Sequence, residues 1–257
     1  MLDKILECEL EYVKCFCEVD ERQDIIRLRD DLIPDMWYHN YTRIKNAKDD
    51  TELIRIIKEE ISYNKNIGRN FCLLRCHVSV DQSILVQLSC KPEISAAGYY
   101  VFDISKLSRL TQTKDSSVVR VENDKMIEDI LMLDLEHDEE DLGIDFCTRR
   151  VYRRKAIYLA DEGVDSYICY HDGRAVGNCN LFIYNDAAKI EDFAVLPHYQ
   201  RKGFGTAILQ TLINIALDKN VSLIYLETDE DDSAKEMFQK CGFYKVDEFT
   251  DLSFELD

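Results

Sequence analysis

The segment from Ile190 to Ala207 (Ile-Glu-Asp-Phe-Ala-Val-Leu-Pro-His-Tyr-Gln-Arg-Lys-Gly-Phe-Gly-Thr-Ala) constrains this chain more than any other. An apolar run suited to a strand stops at Pro197, which cannot donate to a strand ladder. Shortly after it, two glycines open a stretch with Phe204, Ile208, Leu212 and Ala216 at helical spacing. The first turn of such a helix has backbone N–H groups without intrahelical partners, and its end carries roughly half a positive charge. Gly203 and Gly205 have no Cβ, so an anion can approach that backbone closely, and Arg201 and Lys202 add full charges at the rim. The segment is therefore a candidate phosphate seat. It is not a P-loop, because no Lys follows Gly205, and it is not a dinucleotide fingerprint, because Ile208 stands where a third glycine is needed.

The surroundings of that seat are acidic. Of 257 residues, 32 are Lys or Arg and 50 are Asp or Glu, a formal net charge of −18. Such a chain is not expected to bind nucleic acid, whose affinity comes from neutralising phosphates. No apolar run reaches the ~20 residues of a membrane helix, and acids interrupt the first residues, so neither a membrane span nor a signal peptide is expected. The ten cysteines form no C-x₂-C framework. Cys72, Cys76 and His77 have the types of metal ligands, but Phe71–Val80 reads as a strand with Cys72, Leu74 and Cys76 on one buried face, and no metal is expected. Free thiols fit a cytoplasmic protein.

Residues 1–115 carry a net charge of −3 and residues 116–257 carry −15. The change falls in the polar stretch 112–117, which reads as a linker between two domains. In the first, Asp50 and Thr51 cap a helix through Leu53, Ile54, Ile57 and Ile61, and Phe71–Val80, Ser83–Leu88 and Tyr99–Ile104 read as strands. The aromatic cluster from Pro34 to Asn40 reads as packing, with the lining of a ligand groove as the alternative. In the second, Val118–Val121 is a strand and Asp124–Leu135 a helix. Ser166–Tyr170 and Ala175–Tyr184 form a hairpin across Asp172 and Gly173. Lys189–Val195 is a third strand, followed by a helix from Gly203 to Lys219, a strand at Ser222–Thr228, a helix at Asp231–Lys240 closed by Gly242, and a strand pair at Phe243–Val246 and Leu252–Leu256. Strands flanked by helices in this order give an α/β or α+β mixed sheet.

Gln200 to Gly205 reads Q-x-x-G-x-G behind Phe193-Ala194-Val195, and Ala234, Met237, Phe238, Gly242 and Phe243 follow as A-x-x-M-F-x-x-x-G-F. Over residues 118–257 this resembles the GNAT-type N-acetyltransferases, which use acetyl-coenzyme A. The resemblance implies a GNAT-like fold at 118–257 beside an additional N-terminal α/β domain at 1–115, whose helix-then-strands order allows a worn-down copy of the same fold. It implies that Phe193, Ala194 and Val195 pair with the pantetheine arm and that Gln200, Arg201, Lys202, Gly203, Phe204, Gly205 and Thr206 hold the pyrophosphate. It further implies that the amine attacks the thioester directly, with a backbone N–H on the motif strand stabilising the oxyanion. Leu32 to Asn40 bears a faint resemblance to acetyltransferases linked to spore maturation in bacteria.

An attacking amine must lose a proton. Strand alternation puts Glu191, Phe193 and Val195 on one face and Asp192 on the other, which makes Glu191 the candidate base; a rim carboxylate that merely attracts a cation is the competing role. The family's thiolate-protonating tyrosine position holds Phe238, with Tyr225 and Tyr244 as substitutes, and Asp231 stands as a helix cap where asparagine is common. The acidic run Asp134–Asp145 would border the acceptor site and favour a cationic small-molecule amine, or it is a solvated face. Arg149–Lys155 is likewise a solvated face or reaches the coenzyme's 3′-phosphate. A small-molecule amine is the expected partner, and a homodimer stays open. The competing readings are a coenzyme A-binding protein without turnover and an assembly module.

Overall fold

The computed structural model describes residues 1–110, 116–160, 163–231 and 234–256. In chain order the elements are α1 (Leu2–Lys14), β1 (Glu18–Glu21), β2 (Ile25–Arg29), β3 (Tyr41–Ile44), α2 (Asp50–Asn66), β4 (Phe71–Cys76), α3 (Gln82–Leu85), β5 (Glu93–Phe102), β6 (Ser117–Arg120), α4 (Asp124–Leu142), α5 (Ile144–Tyr158), β7 (Val164–His171), β8 (Arg174–Tyr184), β9 (Ala187–Val195), α6 (Phe204–Asp218), β10 (Leu223–Asp229), α7 (Ala234–Cys241) and β11 (Phe243–Glu255). The fold is mixed α/β, and the chain divides into two compact units.

The first unit comprises Met1–Cys15, Tyr99–Glu227 and Ser233–Val246. Its strands run in the order β10-β9-β8-β7-β6. Strands β6 to β9 are antiparallel neighbours. The β7–β8 turn places Asp172 and Gly173 at φ 50° and 77°, the backbone that a two-residue hairpin loop matching strand twist requires. Strands β9 and β10 are parallel, Leu226 beside Ile190, so the chain must cross over between them, and α6 is that crossover. Its Phe204, Ile208, Leu209, Leu212, Ile213 and Ala216 pack into a core with Val176, Ala188, Ile190, Val195, Ile224 and Leu226. Helix α1 belongs to the same unit because Ile5, Cys8, Tyr12 and Val13 form a buried stripe packed towards β8 and β9.

The second unit comprises Phe16–Gly98, Thr228–Asp232 and Asp247–Asp257, with strand order β1-β2-β3-β4-β11. Strands β2 and β3 are antiparallel, β3 and β4 are parallel with α2 as the crossover, and β11 is antiparallel to β4. Leu53, Ile57, Ile61, Cys72, Leu74, Cys76, Leu252 and Phe254 share its core. Trp37 stacks on Phe71 with ring centroids 4.6 Å apart, so the aromatic cluster near Pro34 is packing.

Several expectations need correction. The units do not divide at 112–117: α1 packs with the later half, Thr250–Glu255 pairs with Phe71–Cys76, Gln112–Asp115 lie outside the described residues, and Ser117 already begins β6. Ser83–Leu88 is not a strand; Gln82–Leu85 makes a helical turn that buries Ile84. The cap of α2 is Asp49, whose side chain accepts the Glu52 N–H. The closing strand pair is one strand, because Asp251, which reads as a polar break, is held inside it by a two-pronged bond from Arg75 (3.1 and 3.0 Å). The described part of α7 runs from Ala234, residues 232 and 233 lie outside the described residues, and the Asp231 N–H donates to the Asp229 carboxylate. All ten cysteines are free.

Candidate active site

The site is organised by a fault in β9. Asn178 pairs with Ala194 and Asn180 with Glu191, so Cys179 alone opposes both Asp192 and Phe193. This is a β-bulge, and Asp192 takes the left-handed φ of 50° that absorbs it. The extra residue breaks the alternation of faces. Ala188, Ile190, Phe193 and Val195 belong to the α6 side of the sheet, whereas Lys189 meets α1 and Asp192 meets α5. Glu191 therefore does not share a face with Phe193. It shares one with Lys189, and the bulge brings Asp192 to that side as well.

Asp192 and the backbone that follows form one wall of a cavity of ≈ 270 Å³. Asp134, His137 and Asp138 from α4, and Arg150, Arg154 and Tyr158 from α5, are on the other walls. The Asp192 carboxylate accepts bonds from Arg154 Nη1 (2.8 Å), Asn180 Nδ2 (2.7 Å) and the Tyr158 hydroxyl (3.4 Å). Arg150 bonds both Asp134 (2.8 Å) and Asp138. The acidic run is thus partly a cavity wall, and α4 continues through it to Leu142. The basic run is not a free cationic face either. Arg149 pairs with Asp145 and Lys155 with Asp124, while Arg150 and Arg154 are engaged as above.

Beside the cavity lies a chain of charges. Glu9 of α1 contacts Lys189 Nζ at 2.7 Å, and Lys189 contacts Glu191 at 2.8 Å. The Glu9 and Lys189 side chains are 6% and 4% exposed, but Glu191 keeps 30%. Burial raises the proton affinity of Glu191 to about 7; Lys189 opposes the rise, and Glu227, Asp192 and Glu9 add to it. Lys189 is buried, which disfavours its charge, yet Glu191 and Glu9 hold its pKa well above the ordinary lysine value. Strand alternation puts Lys189 on the face of Glu191, but nothing in it pointed to Glu9 or Tyr12. The available signal was a lone carboxylate on the apolar stripe Ile5–Cys8–Tyr12 of the first helix.

Beyond Val195 the chain makes a 3₁₀ turn at Pro197–Tyr199 and enters α6. Gln200 donates to the Val195 carbonyl at 3.0 Å. Arg201 and Gly203 both have left-handed φ, 59° and 91°, and no side chain caps the helix. Arg201 and Lys202 are exposed at its mouth. Phe204 is buried against His171, with ring centroids 4.9 Å apart. Thr206 bonds the Cys241 thiol. A Cβ on Gly205 would lie 3.0 Å from the Phe193 ring and 3.4 Å from Met237 Sδ, so its bare side receives protein rather than an anion. The Phe193 ring in turn meets Phe238 edge-on at 5.5 Å. Tyr225 is fully buried, with its hydroxyl 3.5 Å from the Ile5 carbonyl, and is unsuited to serve a leaving group. Tyr244 is exposed.

A strand that bulges and then runs into an uncapped, glycine-opened helix sets the frame for comparison with known proteins. Residues 125–243 match the model of the Acetyltransferase (GNAT) family. This part of the chain is a GNAT acetyltransferase domain. The family's acyl donor is acetyl-CoA. The chain is similar to an uncharacterized N-acetyltransferase, CgeE, of Bacillus subtilis (strain 168), at 24% identity over 228 residues, 85% of each protein. It also resembles the crystal structure of a functionally unknown conserved protein from Staphylococcus epidermidis (TM-score 0.78, 17% identity, 93% of each chain). A GCN5-related N-acetyltransferase from Kribbella flavida superposes with a TM-score of 0.68 at 13% identity, over 97% of this chain and 93% of that one. At these identities the likeness of the structures is one of fold. The open end of α6 in the GNAT domain suits a diphosphate, since Gly203 leaves the first N–H groups without a side-chain partner and two cations flank them. Among the described residues, no helix is long and apolar enough to cross a membrane, and no three His, Cys, Asp or Glu side chains are grouped to hold a metal ion.

Proposed function

We propose that the protein transfers an acetyl group from acetyl-CoA to the amine of a small cationic acceptor. One observation carries this reading: the bulge of β9 presents Asp192, Phe193 and Ala194 to the α4–α5 cavity, while the same strand runs on into the open end of α6. The backbone of Gly203 to Thr206, with Arg201, Lys202 and Gln200, would hold the diphosphate, and Phe193 to Val195 would line the pantetheine arm. Bound there, acetyl-CoA supplies the activated acyl group. The acceptor would enter the cavity, where Asp134, Asp138 and Asp192 outnumber Arg150 and Arg154, an excess that favours a cation.

Glu191 would take the amine's proton. Its raised proton affinity, about 7, suits a base working near neutral pH, and it keeps an exposed edge. Asp192 is less suited, because Arg154, Asn180 and Tyr158 all donate to its Oδ2 and Arg154 holds it as the carboxylate; it would instead orient the acceptor. The second unit would be a worn-down copy of the same fold, since both units repeat an antiparallel pair followed by a helical crossover to a parallel strand.

Phe238 favours a second reading, a protein that binds coenzyme A without turnover, because it puts a ring with no hydroxyl where the family commonly has a tyrosine. Coenzyme A thiolate, with an ordinary thiol pKa of ~8.5, can leave unprotonated, so this substitution does not forbid transfer. Thiol release from acetyl-CoA with 1,4-diaminobutane, glucosamine, lysine amide and an alanine-ended peptide decides. Release with the first three above the acceptor-free rate supports the enzyme and its cationic small-molecule acceptor. Release with the peptide alone sinks the small-molecule acceptor, and no release despite saturable coenzyme binding sinks the enzyme.

A further inference from the structure

The charge chain beside the cavity begins near the start of the sequence, far from the proposed coenzyme seat. Glu9 lies on the buried stripe of α1 between Ile5, Cys8 and Tyr12, a position where any apolar residue would pack. From there the contacts run in one line: Glu9 to Lys189 at 2.7 Å, then Lys189 to Glu191 at 2.8 Å, with Lys189 Nζ 4.6 Å from the centre of the Tyr12 ring. Exposure along the line rises from nearly none at Glu9 and Lys189 to 30% at Glu191. A buried ion pair adds little stability over apolar residues of the same volume, so stability alone does not account for a chain that ends on a partly exposed carboxylate one residue before Asp192 of the cavity wall.

We propose that Glu9 and Lys189 are positioning residues for Glu191: the first helix clamps Lys189, and Lys189 fixes the partly exposed Glu191 carboxylate next to the bulge and sets its charge. This rests on reading Glu191 as the base. The groups facing Glu191 are Glu9 and Tyr12 from α1, Arg154 from α5, Cys179 from β8, Lys189 and Asp192 from its own strand, and Glu227 from β10. Lys189 is the cation in direct contact with it, and Arg154 is engaged by Asp192. Neutralising Lys189 therefore leaves Glu191 among carboxylates, which favours the protonated acid. Neutralising Glu9 removes a repelling charge and one of the carboxylates that Lys189 balances, which favours the Glu191 carboxylate. The two changes push in opposite directions, which general loosening of the fold would not do.

The test follows Glu191 itself, by pH titration of its ¹³Cδ resonance in the full-length protein, assigned by its loss in Glu191→Gln. In Lys189→Met the midpoint is expected to rise by about 1–3 pH units, and in Glu9→Gln to fall. Unmoved midpoints, or shifts of the same sign in both variants, overturn the proposal. Should Lys189→Met fail to fold, Glu9→Gln decides alone, and an unmoved or raised midpoint there overturns it. The pH profile of thiol release from acetyl-CoA with the same amine panel separates this proposal from the base assignment. Midpoints that move as expected while the kinetic profile stays put leave the clamp standing and remove Glu191 as the base.

Discussion

Two helices in this molecule occupy the same topological place and end differently. Helix α6 crosses from β9 to the parallel strand β10, and α2 crosses from β3 to the parallel strand β4. At the start of α2, Asp49 accepts the Glu52 N–H at 2.9 Å and Glu52 accepts the Lys48 N–H at 3.1 Å. These two carboxylates close the helix end electrostatically and by hydrogen bonding. At the start of α6 the equivalent role falls to Gly203, left-handed and without a side chain, so the end stays open. The strands leading into them differ too. β9 bulges and carries the charged residues of the cleft, whereas β3 pairs in unbroken register with β4 from Tyr41 to Ile44. A crossover helix is open to an anion only where its own side chains leave its first N–H groups vacant, as at α6.

The sharpest way to break this contrast is at the proposed base. Glu191→Gln is expected to lower kcat by about 10²–10⁴-fold with the acetyl-CoA Kd unchanged in calorimetry; full turnover in the variant would move catalysis elsewhere. Giving α6 a carboxylate like that of α2 comes next. Gly203→Asp places a negative charge and a Cβ at a left-handed position, and coenzyme affinity should fall by about a hundredfold, or ~2.7 kcal/mol. Unchanged affinity would mean that the diphosphate sits elsewhere. A smaller effect is read in pH. Below about 7 Glu191 holds its own proton and cannot accept another, so kcat should rise about tenfold per pH unit towards 7 and level off above it, with no such break in Glu191→Gln. The smallest is at the closed helix. Asp49→Ala should reduce unfolding stability by about 1 kcal/mol and leave coenzyme binding as it was; a matching loss of affinity would couple the two helix ends.

The elements proposed to position the coenzyme were legible because each has a local cause. Pro197 ends a strand, Gly203 opens a helix, and Asp172 with Gly173 turns a hairpin, so the order of strands and helices from Ser166 to Gly242 could be read residue by residue. What escaped depends on pairing across distance. The bulge has no signature in Glu191 and Asp192 themselves. It exists because Cys179 opposes two residues, and strict alternation therefore gave Glu191 the face of Phe193 and parted it from Asp192. The sharing of α1 with the later half, the burial of Tyr225 and the continuity of β11 through Asp251 likewise rest on partners far along the chain. The arginines of α5 looked like a solvated face until the carboxylates of α4 and β9 were placed against them.

The contrast between an open and a closed crossover helix is tested most directly by counting. Titration calorimetry of the full chain with acetyl-CoA should give saturable binding at one molecule per chain, abolished or weakened by Gly203→Asp and indifferent to Asp49→Ala. Two equivalents per chain, or none at all, would contradict it.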